Sequence, residues 1–443
     1  MARVWKRIAA VAATAGAVAA LAACGSSDSG DGGGAGGTVP TDEKVSLTFW
    51  GWDTSTEGAV RAYERAHPNV SIKVVNAGSG IDEYTKFRAA VKAGKGAPDA
   101  IMLEYSALSQ FALDGSIVDL TEAGVDQAMI DRFAPWYIEL LSNGGEGVYG
   151  LPLDAGLMAY LYREDLFKRY GLTPPRTWAE FAATAARLKQ VAPGASLAPF
   201  LIDYDYFNTL AWQNGSRPFE VDGEKIRIAV DNPQAIEVAQ FWDRLIADGL
   251  VATTAPYNNT WFAGLNRGTY TGLVAAQWLP VLIKDTSSTW GRWRAAPLPQ
   301  WQEGQNAQVL NGGSAYAVTR QSEHAAVAAD VVKFITSDMG VVEDNARRVP
   351  YAFYPVRELY ESRRWREQDL PFYGPQKANE VFGDASDGVD GSVQASPFQD
   401  YVNTQGGELI AEAIKDRTPI ADALRKLQPL LVEYAKKQGF TVE

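Results

Sequence analysis

The sequence is poor in the side chains that enzymes use for nucleophilic and redox chemistry. It has one cysteine, Cys24, and two histidines, His67 and His324. A single cysteine excludes an intramolecular disulfide, and two histidines cannot supply a multi-histidine metal site. The GxxxxGK[S/T], HExxH and CxxC motifs are absent, as is a GxGxxG motif after a strand. We therefore expect no metal and no cofactor, and the scarcity of histidine argues against nucleophilic catalysis through a histidine base.

Positive charge is also scarce. The 443 residues carry a formal net charge of −12. Residues 1–23 contain Arg3, Lys6 and Arg7 and no acids, so the rest of the chain carries −15. This acidity argues against a nucleic-acid partner, because a phosphate backbone would be repelled. The hydrophobic fraction of 46% is sufficient for about two to three domains with buried cores.

The first 41 residues have the composition of a targeting segment and a linker. A basic start precedes the apolar run Ile8–Ala23, which is short for a membrane span and ends in small residues, as in a signal peptide. Leu21–Cys24 resembles a bacterial lipobox, which implies cleavage before Cys24 and diacylation of its thiol. Residues 24–41 are rich in Gly, Ser and Asp and predict a disordered tether. Together these features imply a protein held by lipid on the extracytoplasmic face of a cell membrane.

The first part of the folded chain alternates between strand and helix patterns. Predicted strands at 45–50, 70–74 and 100–103 are each followed by a stretch with helical spacing of apolar residues. Such alternation predicts an α/β fold with parallel strands and helices on both faces. In these sheets ligands bind beyond the carboxyl ends of the strands. The residues at these ends are Trp52 and Asp53 after the first strand, and Glu104 and Tyr105 after the third.

The stretch 148–181 predicts the link between two α/β units. We expect strands at 149–153 and 157–162, interrupted at Asp154 and Gly156, and then a helix at 164–170 that ends at Gly171. Pro174 and Pro175 prevent that helix from continuing. Beyond the prolines, Thr177 is placed to cap the next helix, with Glu180 three residues on as in a reciprocal capping box.

This stretch, YGLPLDAG…LYREDLFKRYGLTPPRTWAEF, resembles the extracellular solute-binding proteins of ABC importers, in the group that mostly binds oligosaccharides. The resemblance covers residues 42–443. It implies a two-lobed, periplasmic-binding-protein-like fold of type II, with two interleaved α/β domains joined by three hinge crossings. The expected lobes are 42–156 with 298–350, and 157–297 with 351–443. It also implies a monomer without catalytic activity, which delivers a sugar or oligosaccharide to a membrane permease and its ATPase.

A sugar cleft requires flat aromatic rings beside carboxylates, because the C–H face of a sugar packs on a ring while its hydroxyl groups bond to polar side chains. The sequence has 13 Trp and 19 Tyr. The resemblance places the loops after the first and third strands, the YGLPxD crossing, a tryptophan before the return and a Gly-Gly turn at the ligand. The expected ligand-binding residues are Trp52, Asp53, Glu104, Tyr105, Asp154, Tyr206, Trp278, Asn311, Gly313, Ser314, Tyr354 and Arg357. Asp205 and Trp212 are further candidates, in a region that varies in the family.

Two other interpretations remain open from the residues alone. Paired carboxylates among Asp53, Glu104 and Asp154 could hydrolyse glycosides without a histidine. Alternatively, the importer could carry another ligand. Glycerol phosphate would require basic residues in the cleft, where Arg357 is the one candidate, whereas acids and aromatic rings also suit a polyamine.

Overall fold

A computed structural model describes residues 43–142, 144–145, 147–283 and 288–443. The predicted signal peptide, Cys24 and the tether at 24–41 lie outside these residues. Within the ranges that are described, no helix is long and apolar enough to cross a lipid bilayer.

The strands form one large mixed sheet and two small ones. The large sheet has the order β10-β4-β11-β3-β1-β2, with β9 also paired to β4, and the small sheets are β12-β7-β6 and β5-β8. The strands are β1 (Val45–Trp50), β2 (Val70–Val75), β3 (Ala100–Glu104), β4 (Leu151–Arg163), β5 (Pro199–Leu201), β6 (Phe219–Asp222), β7 (Lys225–Ile228), β8 (Ala252–Thr254), β9 (Gly272–Ala276), β10 (Trp293–Ala296), β11 (Leu310–Val318) and β12 (Thr441–Val442).

Helices cover the sheets and predominate after β11. They are α1 (Thr56–Ala66), α2 (Ile81–Ala93), α3 (Tyr105–Leu113), α4 (Gln127–Ile130), α5 (Pro135–Ser142), α6 (Glu164–Tyr170), α7 (Trp178–Val191), α8 (Tyr204–Gln213), α9 (Pro233–Ala247), α10 (Asn259–Arg267), α11 (Leu279–Ile283), α12 (Ala325–Ser337), α13 (Met339–Arg348), α14 (Arg357–Tyr360), α15 (Arg363–Arg366), α16 (Ala378–Ser386), α17 (Gln399–Asp416) and α18 (Ile420–Gln438).

The start of the fold confirms the predicted alternation. Elements β1 to α3 follow one another as strand and helix, and β1 pairs in parallel with β2 and with β3. The sheet as a whole is mixed, because β11 returns antiparallel between β3 and β4. Because β1 and β3 are parallel neighbours, their carboxyl ends lie side by side. These ends are next to the strand pair β4–β11.

The link between the two α/β units has the predicted helices, with one change at a cap. Helix α6 spans Glu164–Tyr170 and ends at Gly171, whose φ is 61°. Thr177 Oγ1 accepts a hydrogen bond from the backbone N–H of Glu180 at 3.1 Å, as a cap should. The returning bond differs from a capping box, because Glu180 Oε2 accepts from the N–H of Arg176 at 2.8 Å.

The predicted break at Asp154 and Gly156 is wrong, because β4 is one continuous strand of 13 residues. Its first half pairs with β11, and its second half pairs with β9 and β10. The irregularity that the sequence indicates lies in the partner strand. The pairing of β11 with β4 shifts register between Leu310 and Gly313 and again between Ser314 and Ala315. Strand β4 therefore carries the chain from one part of the molecule to the other without a turn.

The molecule has two parts. In the first, which contains β1 to β3, helices α12 and α13 pack on α1, and in the second α17 and α18 pack on α8 and α9. Helix α17 also contacts α3, so it touches both parts. Besides β4 and β11, a third segment runs between the parts, where backbone bridges join Ala155 to Phe353 and Phe133 to Val356. This is the two-lobed α/β architecture with three crossings that the resemblance implies.

The lobe boundaries remain a proposal, which the contacts of residues 298–309 refine. Gln213 Nε2, at the end of α8, donates to Pro299 O at 2.8 Å. The ring centroid of Trp301 lies 5.8 Å from that of Trp178 in α7. Since these contacts are with the second part, we propose that the return to the first lobe occurs within β11, near residue 311, rather than at 298.

Candidate functional site

The site lies where β4 and β11 pair with each other as they pass between the two parts. It is next to the carboxyl ends of β1 and β3. Asp154, the fourth residue of β4, accepts a hydrogen bond on Oδ1 from the backbone N–H of Ser314 at 3.0 Å. The Tyr137 hydroxyl of α5 donates to Asp154 O at 2.7 Å. These bonds fix a carboxylate at the point where the chain passes between the two parts.

Two glycines let β11 approach β4 closely at this point. Gly312 and Gly313 have φ values of 71° and 133°, a region that favours glycine. A Cβ atom on Gly313 would lie 2.8 Å from the Tyr137 hydroxyl and 2.9 Å from Ala155 Cα. The predicted Gly-Gly turn is wrong, because both glycines lie within strand β11 at an irregularity of its pairing with β4. The expected positive φ at these two residues is confirmed.

The carboxylates of the site face one another. Burial, followed by the charge of Asp53 and that of Glu104, raises the pKa of Asp154 to about 7. Burial and then the charges of Asp203 and Glu104 raise the pKa of Asp205 to about 7. The pKa of Glu104 is itself raised, by burial and by the charge of Asp400, against a hydrogen bond from Tyr84. Glu104 is thus the neighbour common to Asp154 and Asp205.

Aromatic residues surround these acids. The Tyr84 hydroxyl donates to Glu104 Oε2 at 3.1 Å, and its ring meets Trp52 edge-on with centroids 6.3 Å apart. Tyr105 stands edge-on to Tyr137 at 6.4 Å, and the charges of Asp205 and Glu104 contribute to raising its pKa, after burial. The charge of Asp154 likewise contributes to the raised pKa of the buried Tyr354 hydroxyl. Aromatic side chains therefore lie close to Glu104, Asp154 and Asp205, and we call this region the cleft.

A second chain of contacts extends the site into the other part. The indole N–H of Trp278 donates to Asn311 O at 2.8 Å, and Asn311 Nδ2 donates to Asp205 Oδ2 at 2.7 Å. The rings of Trp278 and Tyr257 lie 6.4 Å apart. Tyr206 lines a pocket together with Trp278, Tyr257 and Asn311. This half of the cleft thus offers aromatic faces beside a bonded amide and carboxylate.

The structure brings the expected residues together, with one exception. Arg357 is the first residue of α14, its side chain is 50% exposed, and it pairs at 3.3 Å with Glu361, the residue that follows this short helix. An i,i+4 partner on an exposed helix face holds the guanidinium there. These contacts do not support the expected role of Arg357 in ligand binding. Trp212 is a buried side chain of α8, as a core residue would be.

Sequence reasoning missed or undervalued several members of the site. Tyr84 and Tyr137 are parts of apolar helix faces, so nothing in the pattern separates them from core residues. Asp400, at the start of α17, pairs with Arg88 of α2 at 2.9 Å across the two parts. Tyr257 was also missed, and only the structure marks it, as an aromatic side chain that is 44% exposed and has a positive φ of 61°. Such backbone strain concentrates at functional sites.

The raised pKa of Asp154 predicts how the stability of the protein depends on pH. An aspartate has a pKa of about 3.9 in an unfolded chain, so between about pH 4 and pH 7 the folded protein binds more protons than the unfolded chain. Ionisation of Asp154 therefore lowers the free energy of unfolding as pH rises through this window. We expect Asp154→Asn to remove this loss, so the variant is more stable than the unchanged protein by about 2–4 kcal/mol at pH 8 and nearly equal to it at pH 4.

Melting temperatures measured from pH 4 to pH 8 check this, and the difference between variant and parent isolates Asp154 from other titrating groups. The exposed Asp222 of β6 provides the control, since Asp222→Asn is expected to follow the parent at every pH. A variant that is less stable at pH 8 would instead show that the ionised Asp154 holds the β4–β11 crossing together.

The fold and the cleft define a class, the two-lobed α/β binding proteins of type II, in which the ligand site lies between lobes. The particular family follows from comparison. The family model described as bacterial extracellular solute-binding protein matches residues 52–342, and the chain belongs to this family. The resemblance stated from the sequence is confirmed.

Curated relatives are distant but span most of the fold. The chain is 24% identical over 341 residues to an arabinooligosaccharide-binding protein of Bacillus subtilis, which covers 74% of this chain and 77% of that protein. It is also 24% identical over 301 residues to an arabinooligosaccharide-binding protein of Halalkalibacterium halodurans. That match covers 66% of each protein, just under two thirds of the relative's length.

Among solved structures, an ABC transporter-associated binding protein of B. animalis subsp. lactis in complex with β-1,6-galactobiose is similar with a TM-score of 0.76 and 27% identity. The match covers 91% of this chain and all of that one. The lacto-N-biose complex of a Bifidobacterium longum binding protein gives the same TM-score at 23% identity and the same coverage, which supports the fold.

Proposed function

We propose that this chain is the substrate-binding component of an ABC importer and that it binds a sugar or oligosaccharide between its lobes. The observation that carries the proposal is the cleft itself, in which Glu104, Asp154 and Asp205 stand beside Trp52 and Trp278. Carboxylates accept hydrogen bonds from sugar hydroxyl groups, and indole faces pack against sugar rings. Relatives and structural neighbours named for sugar ligands support the same class of ligand.

Ligand binding is coupled to a hinge motion in this proposal. Gly312 and Gly313 lie in β11, one of the three crossings, and can absorb changes in φ and ψ. A ligand favours the closed form only by binding it more tightly than the open form. Closure then gives a membrane permease, with its ATPase, a shape that distinguishes the loaded protein from the empty one.

The proposed site of action is the extracytoplasmic face of the cell membrane. Removal of residues 1–23 leaves Cys24 at the amino terminus, where its thiol carries the lipid anchor, and residues 24–41 tether the folded part. The protein acts as a monomer and performs no chemical step on its ligand. Carboxylates that face one another can bind hydroxyl groups without catalysing hydrolysis.

A thermal-shift screen of the protein without its first 23 residues tests the proposal. The panel contains mono- and oligosaccharides, sugar alcohols, glycerol phosphates and polyamines, and any positive sample is analysed for products. A sugar at about 100 times its dissociation constant should stabilise the protein by about 2.7 kcal/mol and stay intact. A released product would replace the proposal with the glycoside-active enzyme, and a shift with polyamines alone would keep the fold and change the ligand.

A further inference from the structure

Tyr257 is unusual both in the exposure of its side chain and in the conformation of its backbone. Within the described ranges it is the one aromatic residue among the exposed large hydrophobic side chains, and 44% of it is accessible to solvent. Its φ of 61° lies in the left-handed region, which is rare and costly for a residue with a bulky side chain. Tyr257 therefore combines two features that the stability of the fold alone does not favour.

The ring of Tyr257 lines a depression of the surface. Its centroid is 6.4 Å from that of Trp278, and the two ring planes are inclined by 47°. Burial is the first cause of the raised pKa of the Tyr257 hydroxyl, and the charges of Asp203 and Asp205 add to it. A ring that is accessible to solvent and still desolvated by the protein around it lies in a concave surface. Because Asp205 is bonded to Asn311, whose backbone oxygen holds Trp278, this surface belongs to the cleft.

The loop that presents Tyr257 is held on both sides of this residue. Asn258 Oδ1 accepts a hydrogen bond from the N–H of Trp261 at 2.9 Å and so caps α10, while Asn258 Nδ2 donates to Ala255 O at 2.9 Å. Thr254 Oγ1 donates to the same carbonyl oxygen at 3.0 Å. The Tyr257 ring also stands edge-on to the buried ring of Trp261, with centroids 5.5 Å apart. The folded structure thus fixes the strained conformation, and the ring is in place before a ligand arrives.

Resting on the proposed sugar-binding function, we propose that Tyr257 binds the ligand and forms, with Trp278, an aromatic corner that holds one sugar unit. The C–H groups of this unit pack on the indole of Trp278, and the inclined ring of Tyr257 contacts a second side of the same unit. Asp203 and Asp205 each use one carboxylate oxygen in a hydrogen bond to the N–H of Tyr206 and to Asn311, respectively. The other oxygen of each can accept a bond from a sugar hydroxyl group. This role explains why a tyrosine occupies a position whose backbone suits glycine or asparagine better.

Calorimetric titration of the protein from Cys24 onward tests the proposal, with Tyr257→Asn as the main variant. Asparagine tolerates the left-handed conformation, so the variant removes the ring without adding backbone strain. The titrants are β-1,6-galactobiose, lactose, an arabinofuranose disaccharide and every other saccharide that raises the melting temperature in the thermal-shift screen. A ring that covers about 60 Å² of a sugar unit should strengthen binding about tenfold, and we expect Tyr257→Asn to lose this factor. Its melting temperature without ligand should stay within about 2 °C of the parent, because relief of strain offsets the lost ring contacts.

Two further variants complete the test. Tyr257→Phe keeps the ring and should bind almost as tightly as the parent. Arg417→Asn is the matched control, because Arg417 is the other non-glycine residue of the described ranges with a positive φ and lies exposed at the end of α17. It should leave every affinity unchanged.

Three outcomes would contradict the proposal, and they can be told apart. A Tyr257→Asn variant that binds like the parent, whatever its melting temperature, would overturn the inference and leave Tyr257 as packing around Trp261. If Tyr257→Phe bound as weakly as Tyr257→Asn, the contact would be made by the hydroxyl group and the aromatic corner would be wrong. A parent protein that binds no saccharide would overturn the proposed function itself, and this inference with it.

Discussion

Replacing Gly156 with alanine is expected to lower the free energy of unfolding by about 3 kcal/mol, which is the upper range for overpacking a buried site. A Cβ atom at this position would lie 2.0 Å from Asn311 O, 2.6 Å from Trp278 Nε1 and 2.9 Å from Gly312 O. Two of these atoms are backbone oxygens of β11, so no side-chain rotation relieves the contact. Strands β4 and β11 would have to move apart at this point.

Thermal melts of the parent and of Gly156→Ala, together with ligand titration, measure this effect. Gly407 in α17 supplies the matched control, since a Cβ there meets nothing within 4 Å and alanine is the better helix former by about 0.5–1 kcal/mol. Gly407→Ala should therefore melt at the parental temperature or slightly above it. If Gly156→Ala melted like Gly407→Ala, the pairing of β4 and β11 would have room for a methyl group. The close packing of the two strands at Gly156 would then be wrong.

This part of the structure shows why local sequence signals predict individual helices and strands but not where one strand continues into the next. Asp154 and Gly156 are poor strand residues, and local propensity predicts a break there. The tertiary structure overrides that propensity, because the register of β11 shifts opposite these residues while β4 continues as one strand. Helix α6 and its Gly171 terminus could be predicted, since caps and left-handed glycines act within a few residues of one another.

The site could be predicted where it follows strand ends and could not where it depends on distant packing. Trp52 and Glu104 follow the carboxyl ends of β1 and β3, a position that the order of elements determines. Tyr137 reaches Asp154 from a helix whose pattern reads as core. Asp400 approaches Glu104 from the last third of the chain, and no local pattern encodes that approach. Arg357 was placed by resemblance alone, and its own helix keeps it at the surface.

The largest expected effect on binding comes from Trp278, because its indole lies beside Tyr257 and is held by a hydrogen bond to Asn311 O, next to Asp205. An indole face that covers about 100 Å² of a sugar ring contributes about 2.5 kcal/mol at 25 cal/mol per Å². We therefore expect Trp278→Ala to weaken the saccharide found by the thermal-shift screen by about 70-fold or more. Calorimetric titration measures the loss directly.

Two further variants separate this loss of stacking from general damage to the fold. Trp290→Ala removes a partly buried indole that packs on Tyr351 and Phe372, away from the cleft, and should lower the melting temperature without changing the affinity. Trp278→Phe retains a flat ring but loses the bond to Asn311 O, so it should recover most of the affinity if stacking dominates. Should Trp278→Phe bind as weakly as Trp278→Ala, the bond that positions Asn311 and, through it, Asp205 would be the larger contribution. The ligand would then be held mainly by the carboxylates and amide of the cleft rather than by its aromatic faces.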